Sequence, residues 1–470
     1  MANYTSIHTG AAIDAAVTKV AMLEEGYTIA GVKFALASSS TVGTRTHAAI
    51  GLTVTPGVGT KGTSDFDKFP VYNWRLCNRV NGVVTAFEGE PGFSTANDTF
   101  VQIPKGYYRR YVDATNEYFM VSDKPFQGSK LHKLFNKSGK VQEYVYLATY
   151  ESSYDGSSKH QSKTGTLPDV NVSRTTCRTR SKARGSYASL QDVHARDWLN
   201  LLMLIETANK NTQVVIGRGY CDMNYATDTT VTIAEVSVNR IILANAKADS
   251  FVVGQEVSLG TARGNNGIAA DRTITAIDAY DATNKAITVD GSAFTTTIGN
   301  VLWTSRQKSG KTDAIGSGTG RATGTDGKTA VRYRGVENPY GNVWEWVDNL
   351  NIRNNQGYSD PNGRTELYSD TDFGTNYTAY SAAFPATNNY VKRVLFDENI
   401  GVGCLPADVT GGSDSTYFAD YYYQASGDRA AFVGGHWGYG SDAGPWYWVL
   451  NSAASGAFFS VGARLLETAV

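Results

Sequence analysis

Apolar and polar positions alternate over short stretches along most of the chain. Stretches such as YTIAGVKFAL (residues 27–36) and EYVYLATY (residues 143–150) repeat with a period of two, which predicts strands. The clearest helical period lies in residues 188–211, where Ser189 and Asp192 resemble an N-terminal cap. The pattern therefore predicts a chain rich in strands and loops, and the abundance of Gly, Tyr, Thr, Ser and Asn favours the same interpretation.

The N-terminal stretch, residues 8–23, also has a helical period. Its apolar side is narrow, with Ile13, Val17 and Val20 spaced i, i+4 and i+7. A stripe of this width cannot bury itself alone. It packs either on the following part of the chain or on copies of itself from other subunits, and the second arrangement predicts a symmetric homo-oligomer.

Composition shifts in residues 228–304. Short apolar stretches such as RIILANA, SFVVGQEVSLG and KAITVDG follow one another there, with the turn sequence DATN before the last. This organisation predicts a small antiparallel β-barrel inserted within another domain.

Charge and cysteine content exclude several classes of protein. The 470 residues carry a net charge of −1, so no nucleic acid or other polyanion is expected as a partner. The basic stretch SRTTCRTRSKARG (residues 173–185) is interpreted as a solvated loop or a source of intersubunit salt bridges. The four cysteines are scattered, which predicts buried thiols. No apolar run reaches the roughly 20 residues that cross a bilayer, so no membrane insertion is expected.

Aromatic and small residues dominate residues 434–465, GGHWGYGSDAGPWYWVLNSAASGAFFSVGARL. Only Asp442 and Arg464 carry a full charge in this segment, so it lacks the converging titratable groups of a catalytic site. Three adjacent exposed tryptophans would cause aggregation, so some of them must face inward. Tyr, Ser, Gly and Asp on a rigid frame are typical of a binding surface.

Three motifs carry a resemblance to a known family. They are ENPYGNVWEWV (residues 337–347), RAAFVGGHW (residues 429–437) and VGARL (residues 461–465). Together they resemble the C-type-lectin-like fold of formylglycine-generating-enzyme relatives and of the variable proteins of diversity-generating retroelements. With their flanks they look most similar to phage tail proteins that have a variable C-terminus. The resemblance covers roughly residues 66–230 and 305–470.

The resemblance implies an α+β fold class, with a C-type-lectin-like (formylglycine-generating-enzyme-like) domain. That domain is expected in two parts, residues 66–227 and 305–470, separated by the inserted small antiparallel β-barrel of residues 228–304. Residues 1–65 are expected to form an N-terminal helix and β region for oligomerisation or attachment.

In retroelement-diversified proteins, Asn codons of the form AAY become NNY, which encodes neither Trp nor Met, Gln, Lys or Glu. Residues 434–465 contain no Met, Gln, Lys or Glu, and their tryptophans would then be fixed. The resemblance thus implies that the ligand-binding, variable positions are His436, Gly438, Tyr439, Ser441, Asp442, Pro445, Tyr447, Val449, Ser452, Gly456, Phe458 and Ser460. The fixed scaffold residues are expected to be Trp344, Trp346, Trp437, Trp448 and Arg464.

Two alternative functions stay open. The first is an oxidase of the formylglycine-generating type, a sulfatase-modifying relative. The resemblance implies a copper-dependent site with two cysteines near the C-terminal hairpin, but no cysteine follows Cys404 in this chain. A calcium-dependent glycan-binding lectin needs Glu-Pro-Asn and Trp-Asn-Asp arrangements, and this chain has Glu-Asn-Pro at residues 337–339. We therefore expect no enzyme activity and no cofactor. A structural calcium ion in the Asp- and Asn-rich loops of residues 347–363 stays open, and no metal ligand is assigned.

The function implied by the resemblance is a phage tail-tip receptor-binding protein, or tropism determinant, with a hypervariable surface. Such a protein is made in the cytoplasm of the host bacterium and acts in the tail of the virion. Its expected partners are a host cell-surface protein or glycan and other tail proteins. A homotrimer is the expected assembly.

Overall fold

The computed structural model describes Thr9, residues 28–324 and residues 326–469. Strands make up 37% of the chain and helices 12%. The described α-helices are Arg174–Lys182, Val193–Thr207, Gln213–Ile216 and Asn245–Ala248. The described 3₁₀ turns are Asp65–Lys68, Pro70–Tyr72, Lys133–Phe135, Asp313–Ile315, Thr365–Leu367 and Gly440–Asp442. The predicted N-terminal stripe of Ile13, Val17 and Val20 lies outside the described residues.

The predicted fold class is wrong. An α+β domain of the C-type-lectin-like type with a closed small barrel was expected, whereas the chain is mostly β and its strands form several separate sheets. No sheet in residues 28–324 or 326–469 closes into a barrel. The physical reason is that short period-two stretches recur along the chain, which places far more residues in strands than in helices.

Two sheets contain most of the strands of the N-terminal third. One has five strands, in the order Lys130–Leu131, Tyr107–Val112, Asn116–Ser122, Ala30–Ala35 and Thr44–His47. The other has six strands, in the order Ala188–Leu190, Leu465–Thr468, Tyr144–Ala148, Thr99–Pro104, Arg75–Val80 and Val83–Phe87. The last strand of the chain therefore lies inside a sheet that is built mainly from much earlier residues.

The sheet of the inserted region has its own small apolar core, which includes Ile241, Leu259 and Ile287. Its order is Arg240–Ala244, Asn284–Val289, Ala269–Ala279, Glu256–Gly260 and Val301–Thr304. The predicted β-barrel is wrong because the first and last of these strands do not pair with each other. Thr230 forms a single β-bridge with Val301 at one edge of the sheet, and Ile233 forms one with Ile242 at the other edge. Among residues 28–324 and 326–469, no strand joins these two edges to close the sheet.

The largest sheet of the described residues has eight strands and includes residues 434, 444–452 and 461–462. Seven lie in the order Thr378–Ala379, Gln356–Ser359, Trp344–Arg353, Asp428–Gly434, Gly444–Ser452, Tyr421–Gln424 and Asn389–Tyr390, and Val461–Gly462 pairs with Trp344–Arg353. We call it the terminal sheet. Its three central strands run antiparallel, with Asp428–Gly434 between the strand of the GNVWEW motif and the strand Gly444–Ser452.

The remaining strands are short. Four form a small sheet in the order Val336–Glu337, Val331–Tyr333, Gly320–Arg321 and Gly57–Val58. The others pair as Asn136–Lys137 with Lys140–Val141, Ser153–Tyr154 with His160–Gln161, Val54–Thr55 with Thr63–Ser64, and Arg393–Val394 with Pro406–Asp408.

The helix Val193–Thr207 lies in the main core. Its N-cap is Asp192, whose carboxylate accepts a hydrogen bond from the backbone N–H of Ala195 at 2.9 Å. Ser189 was predicted as part of this cap, but it belongs to the strand Ala188–Leu190. Because nearly every residue of the helix is buried, it supports the sheets packed around it.

The basic stretch is not a solvated loop, and that interpretation is wrong. Residues 174–182 form a helix whose arginines point to carboxylates elsewhere in the chain. Arg178 donates to Asp348 at 2.7 Å through two nitrogens, and Arg174 contacts Asp370 at 2.7 Å. These arginines are neutralised within the fold, so this side of the molecule gains no positive patch.

A buried ion pair joins two of the three motifs that carry the resemblance, ENPYGNVWEWV and VGARL. The guanidinium of Arg464 donates to Oε1 of Glu345 at 2.7 Å, and both side chains are nearly inaccessible to solvent. Its other N–H groups donate to four backbone carbonyls, those of Ala148, Thr149, Glu337 and Asn338, at 2.8–3.1 Å. One side chain thereby connects residues 148–149 and the ENPYGNVWEWV motif to the VGARL motif.

The turn before Glu345 is fixed by a second set of buried polar contacts. Gly341 has a φ of 79°, and a Cβ atom there would lie 2.7 Å from the Tyr220 carbonyl, so only glycine fits. The Asn342 amide donates to Glu151 at 2.5 Å and accepts from the Gln307 backbone N–H at 2.8 Å. The Gly-Asn pair of the motif is therefore explained by backbone geometry and buried hydrogen bonds.

Removal of one partner from the Arg464–Glu345 pair is expected to destabilise the whole fold. Arg464→Met removes the ion-pair partner of a buried carboxylate and one donor from each of four buried carbonyls, which costs about 3–5 kcal/mol. Urea unfolding measures this change. Arg353→Met is the control because the Arg353–Asp428 pair is solvent-exposed and should affect the unfolding midpoint little. Equal midpoints for the two variants would contradict this account.

Glu151 adds a pH dependence to the same network. Burial raises the pKa of its carboxyl group to about 8, against the opposing effect of Arg464. The unfolded chain releases this proton near the ordinary value of 4.5, whereas the folded protein keeps it up to about 8. The resulting stabilisation is full below the lower value and is lost as the pH rises to the higher one.

Glu151→Gln is expected to remove this pH dependence because glutamine resembles the neutral acid. Between about pH 6 and about pH 8, the wild-type free energy of unfolding should fall by about 1.4 kcal/mol per pH unit relative to the variant. Urea titrations of both proteins across this range measure the difference. Parallel curves would show that Glu151 is ionised in the folded protein.

Candidate ligand-binding surface

Alternation along the strand Gly444–Ser452 divides its side chains between two faces of the terminal sheet. Trp446, Trp448 and Leu450 belong to the main core of the molecule. Tyr447 and Val449 belong to a separate cluster on the opposite face. The inward tryptophans anchor the strand, and the outward positions lie over a different set of residues.

Aromatic rings cover the opposite face of the sheet almost continuously. Trp344 lies at its centre, with ring centroids 4.6 Å from Tyr447, 5.1 Å from Phe432 and 5.3 Å from Tyr439. Further rings extend the field in both directions. We call this surface the aromatic face and define it by Trp344, Trp346, Tyr390, Tyr421, Tyr423, Phe432, Tyr439, Tyr447 and Phe458.

Aromatic rings are accessible at both ends of this face. Phe458 is 38% exposed at one end, and Tyr423 is 42% exposed at the other. Tyr439 is half-buried between them, and Ser441 beside it is exposed. Large rigid rings that are partly exposed above a packed aromatic floor suit a contact surface, because they bury much area at a low cost in side-chain entropy.

Polar groups at the rim are held in place by neighbouring strands. The Tyr390 hydroxyl donates to Oδ1 of Asp442 at 2.5 Å. Burial raises the pKa of the Asp442 carboxyl group, and the bond from Tyr390 partly offsets this effect. Asp442 is thus oriented toward the face by a residue outside the variable segment.

Five of the twelve predicted variable residues are buried, so the twelve do not form one exposed patch. The buried ones are His436, Pro445, Tyr447, Val449 and Ser460. The partly or fully exposed ones are Gly438, Tyr439, Ser441, Asp442, Ser452, Gly456 and Phe458.

Each buried residue has a specific structural reason. His436 is enclosed by aromatic rings, including Tyr225 at 4.7 Å, and burial lowers the pKa of its imidazole to about 3. The Pro445 carbonyl accepts from Asn200 at 2.7 Å. The Ser460 carbonyl accepts the Trp344 N–H at 2.9 Å, and Ser460 therefore supports the GNVWEW strand.

Tyr447 and Val449 are buried for another reason, since both lie on the aromatic face beneath the more exposed rings. They form its floor and shape it without protruding. Gly438 is also restricted, because a Cβ atom there would lie 2.6 Å from Cβ of Tyr225. A side chain at position 438 therefore requires Tyr225 to move.

The structure buries all the predicted scaffold residues. They are Trp344, Trp346, Trp437, Trp448 and Arg464. Their roles differ: Trp344 and Trp346 form the floor of the aromatic face, whereas Trp448 donates from its indole to the Cys404 carbonyl at 2.9 Å in the main core.

The aromatic face also contains residues that are not among the predicted variable positions. Tyr390, Tyr421 and Tyr423 come from outside residues 434–465, and Tyr390 lies 5.1 Å from Tyr421 between ring centroids. The alternation in YYYQ (residues 421–424) was the available signal, because it places the first and third tyrosines on the same face.

The four thiols, and two of the carboxylates considered for calcium, are committed to the fold. All four cysteines are free and buried, and burial raises the pKa of every thiol, to about 12 at Cys77. Asp348 and Asp360 lie within the loops considered for calcium, and both accept hydrogen bonds from arginines, Arg178 and Arg364. Residues 28–324 and 326–469 contain no cluster of three or more His, Cys, Asp or Glu arranged for a metal.

Comparison with models of known protein families gives no match to this chain, and comparison with curated proteins gives none either. Within the described ranges, no helix combines the length and the apolar character needed to cross a lipid bilayer.

Proposed function

We propose that this chain is a receptor-binding protein at the tip of a phage tail, of the variable type that diversity-generating retroelements produce. In this proposal the aromatic face binds a host cell-surface protein or glycan. Retroelement diversification changes the partly exposed residues of this face and leaves the buried scaffold unchanged. Binding needs neither catalysis nor a cofactor.

The observation that supports this proposal is that the terminal sheet divides the side chains of its strands between a face in the main core and the aromatic face. Tryptophans, which NNY codons cannot encode, anchor the strand Gly444–Ser452 in the main core. Tyr439, Ser441, Asp442 and Phe458, which NNY codons can encode, are partly or fully exposed. A surface that must change without unfolding needs this arrangement, because exposed substitutions typically alter stability by only about ±0.5 kcal/mol.

The remaining parts of the proposal follow from the resemblance. The protein is a homotrimer in the tail of the virion and contacts other tail proteins through residues outside the aromatic face. Several trimers on one virion multiply weak individual contacts, so moderate affinity at each face is sufficient for attachment.

The proposal predicts that exposed rings of the aromatic face control attachment and contribute little to stability. Tyr423→Asn combined with Phe458→Asn is expected to weaken binding to host cells about tenfold or more, since exposed aromatic hot spots contribute about 2 kcal/mol or more. Flow cytometry of labelled full-length protein on host cells measures attachment, and thermal unfolding measures stability.

A matched control distinguishes this surface from exposed tyrosines in general. Tyr144 and Tyr280 are 42% and 39% exposed, similar to Tyr423 and Phe458, and lie on other sheets or loops. Tyr144→Asn combined with Tyr280→Asn should leave attachment unchanged. Equal attachment of both double variants, or an equal loss in both, would rule out the aromatic face as the binding site.

A further inference from the structure

A loop of the inserted sheet, residues 261–268, lies against the end of the predicted variable segment. The Trp303 indole donates to the Asn265 carbonyl of this loop at 2.8 Å. Gly264 lies so close to Phe459 that a Cβ atom on it would be 3.1 Å from the Phe459 ring. The loop is therefore fixed on two sides, by a strand of its own sheet and by the variable segment.

Arg263 in this loop is held by Tyr225. Its guanidinium carbon lies 3.9 Å from the centroid of the Tyr225 ring, and Nη1 donates to the Tyr225 backbone carbonyl. Tyr225 lies 4.7 Å from His436 between ring centroids, and His436 lies 4.5 Å from Tyr439. Arg263 and Tyr225 thus continue the row of rings beyond one edge of the aromatic face.

The positive charge of Arg263 acts on this edge. Burial raises the pKa of the Tyr439 hydroxyl, and Arg263 opposes this effect. Burial also lowers the pKa of the His436 imidazole, and Arg263 lowers it further. Arg263, Tyr225 and Tyr439 are all partly exposed. A partner that contacts Tyr439 therefore lies within the range of this charge.

The guanidinium of Arg263 has no carboxylate partner. Among residues 28–324 and 326–469 it forms no ion pair, and the bond to Tyr225 is its one hydrogen bond. Arg218 also lies beside the variable segment, near Gly440, but it forms an ion pair with Asp222. Of these two arginines, Arg263 is thus the one with free N–H groups and an unbalanced charge.

The geometry of this group identifies the class of ligand. A planar guanidinium presents two parallel N–H groups that match the two oxygens of a carboxylate. The ring beneath Arg263 fixes its plane, so little side-chain entropy is lost on binding. A phosphate monoester carries nearly two negative charges. It would also meet Asp442, which acts on Tyr439 with the sign opposite to that of Arg263. A singly charged carboxylate therefore fits one guanidinium better.

The surroundings of Arg263 favour a protein as the source of this carboxylate. Contacts between proteins are dominated by a few tyrosine, tryptophan and arginine side chains that lie next to each other. Arg263 provides the arginine, and Tyr225 and Tyr439 provide rings that connect it to the aromatic face.

We propose that Arg263 binds the carboxylate of an aspartate or glutamate side chain on a host surface protein. This inference rests on the proposed function of the aromatic face and names the chemistry of its partner. Because Arg263 lies outside residues 434–465, diversification leaves this contact unchanged while the residues beside it vary. The inserted sheet thereby supplies a constant part of a variable binding surface.

Attachment to host cells with neutralised surface carboxylates tests this inference. Treatment with a water-soluble carbodiimide and ethanolamine converts these carboxylates to neutral amides, and flow cytometry measures attachment of the full-length protein. The wild type is expected to bind treated cells about tenfold less than untreated cells. Arg263→Met is expected to bind untreated cells about tenfold less than the wild type, and treatment should not weaken it further, because both changes remove the same contact.

Arg109→Met is the matched control. The Arg109 guanidinium carbon lies 4.5 Å from the centroid of the Tyr111 ring, and the side chain donates to the Gln127 carbonyl at 3.1 Å. It also forms no ion pair in the described ranges, but it belongs to the five-stranded sheet. This variant should bind like the wild type on both kinds of cell. Thermal unfolding of both variants checks that each is folded.

Two further samples complete the experiment. Host cells treated with a protease are expected to lose attachment of the wild type, since the proposed carboxylate belongs to a protein. Arg263→Lys keeps the charge and removes the planar pair of donors, so it should still bind untreated cells several-fold less than the wild type. This variant tests the same contact if Arg263→Met does not fold.

The inference is overturned if amidation leaves wild-type attachment unchanged, or if amidation weakens a folded Arg263→Met as much as the wild type. Full attachment to protease-treated cells also overturns it, because the receptor is then not a protein. The Tyr423→Asn and Phe458→Asn double variant separates this inference from the proposed function. If that variant loses attachment and Arg263→Met does not, only the role of Arg263 is wrong. If neither loses attachment, the proposed function of the aromatic face is wrong as well.

Discussion

The buried contact between Arg464 and Glu345 is the interaction on which the rest of the terminal half depends. Arg464 lies near the end of the variable segment and directly precedes the strand Leu465–Thr468, which is inserted into the six-stranded sheet. Its guanidinium satisfies Glu345 and four backbone carbonyls at once. Because a guanidinium offers five N–H donors in a fixed plane, lysine cannot replace it here. The end of the variable segment is thus fixed from within the protein, without using any exposed side chain.

This anchoring separates stability from recognition. The inward side of the strand Gly444–Ser452 is held by Trp446 and Trp448, and the turn before the GNVWEW strand is held by Asn342 on Glu151. None of these contacts uses the outer rings of the aromatic face. A change at Phe458 therefore leaves the anchoring contacts intact, which is the physical condition for a surface that tolerates replacement.

Local patterns in the sequence allowed some features to be predicted, and long-range contacts determined the others. Period-two alternation predicted the strands, and the apolar run predicted the helix Val193–Thr207. The burial of His436 could not be predicted, because it depends on Tyr225, which is distant in sequence. The arginines of residues 174–182 resembled a solvated loop because their carboxylate partners, including Asp348, lie far along the chain. The barrel prediction failed because closure depends on pairing between edge strands, which alternation within each strand does not encode.

The DNA around the gene tests most directly whether the terminal segment is a diversified surface on a fixed scaffold. Our account predicts a near-copy of the stretch that encodes residues 434–465, adjacent to a reverse transcriptase gene. The two copies should differ only where the near-copy has adenine, at codons such as those of Tyr439, Ser441, Asp442 and Phe458. The tryptophan codons and the Arg464 codon should be identical in both. The absence of such a copy, or differences spread equally over scaffold and surface codons, would contradict the account.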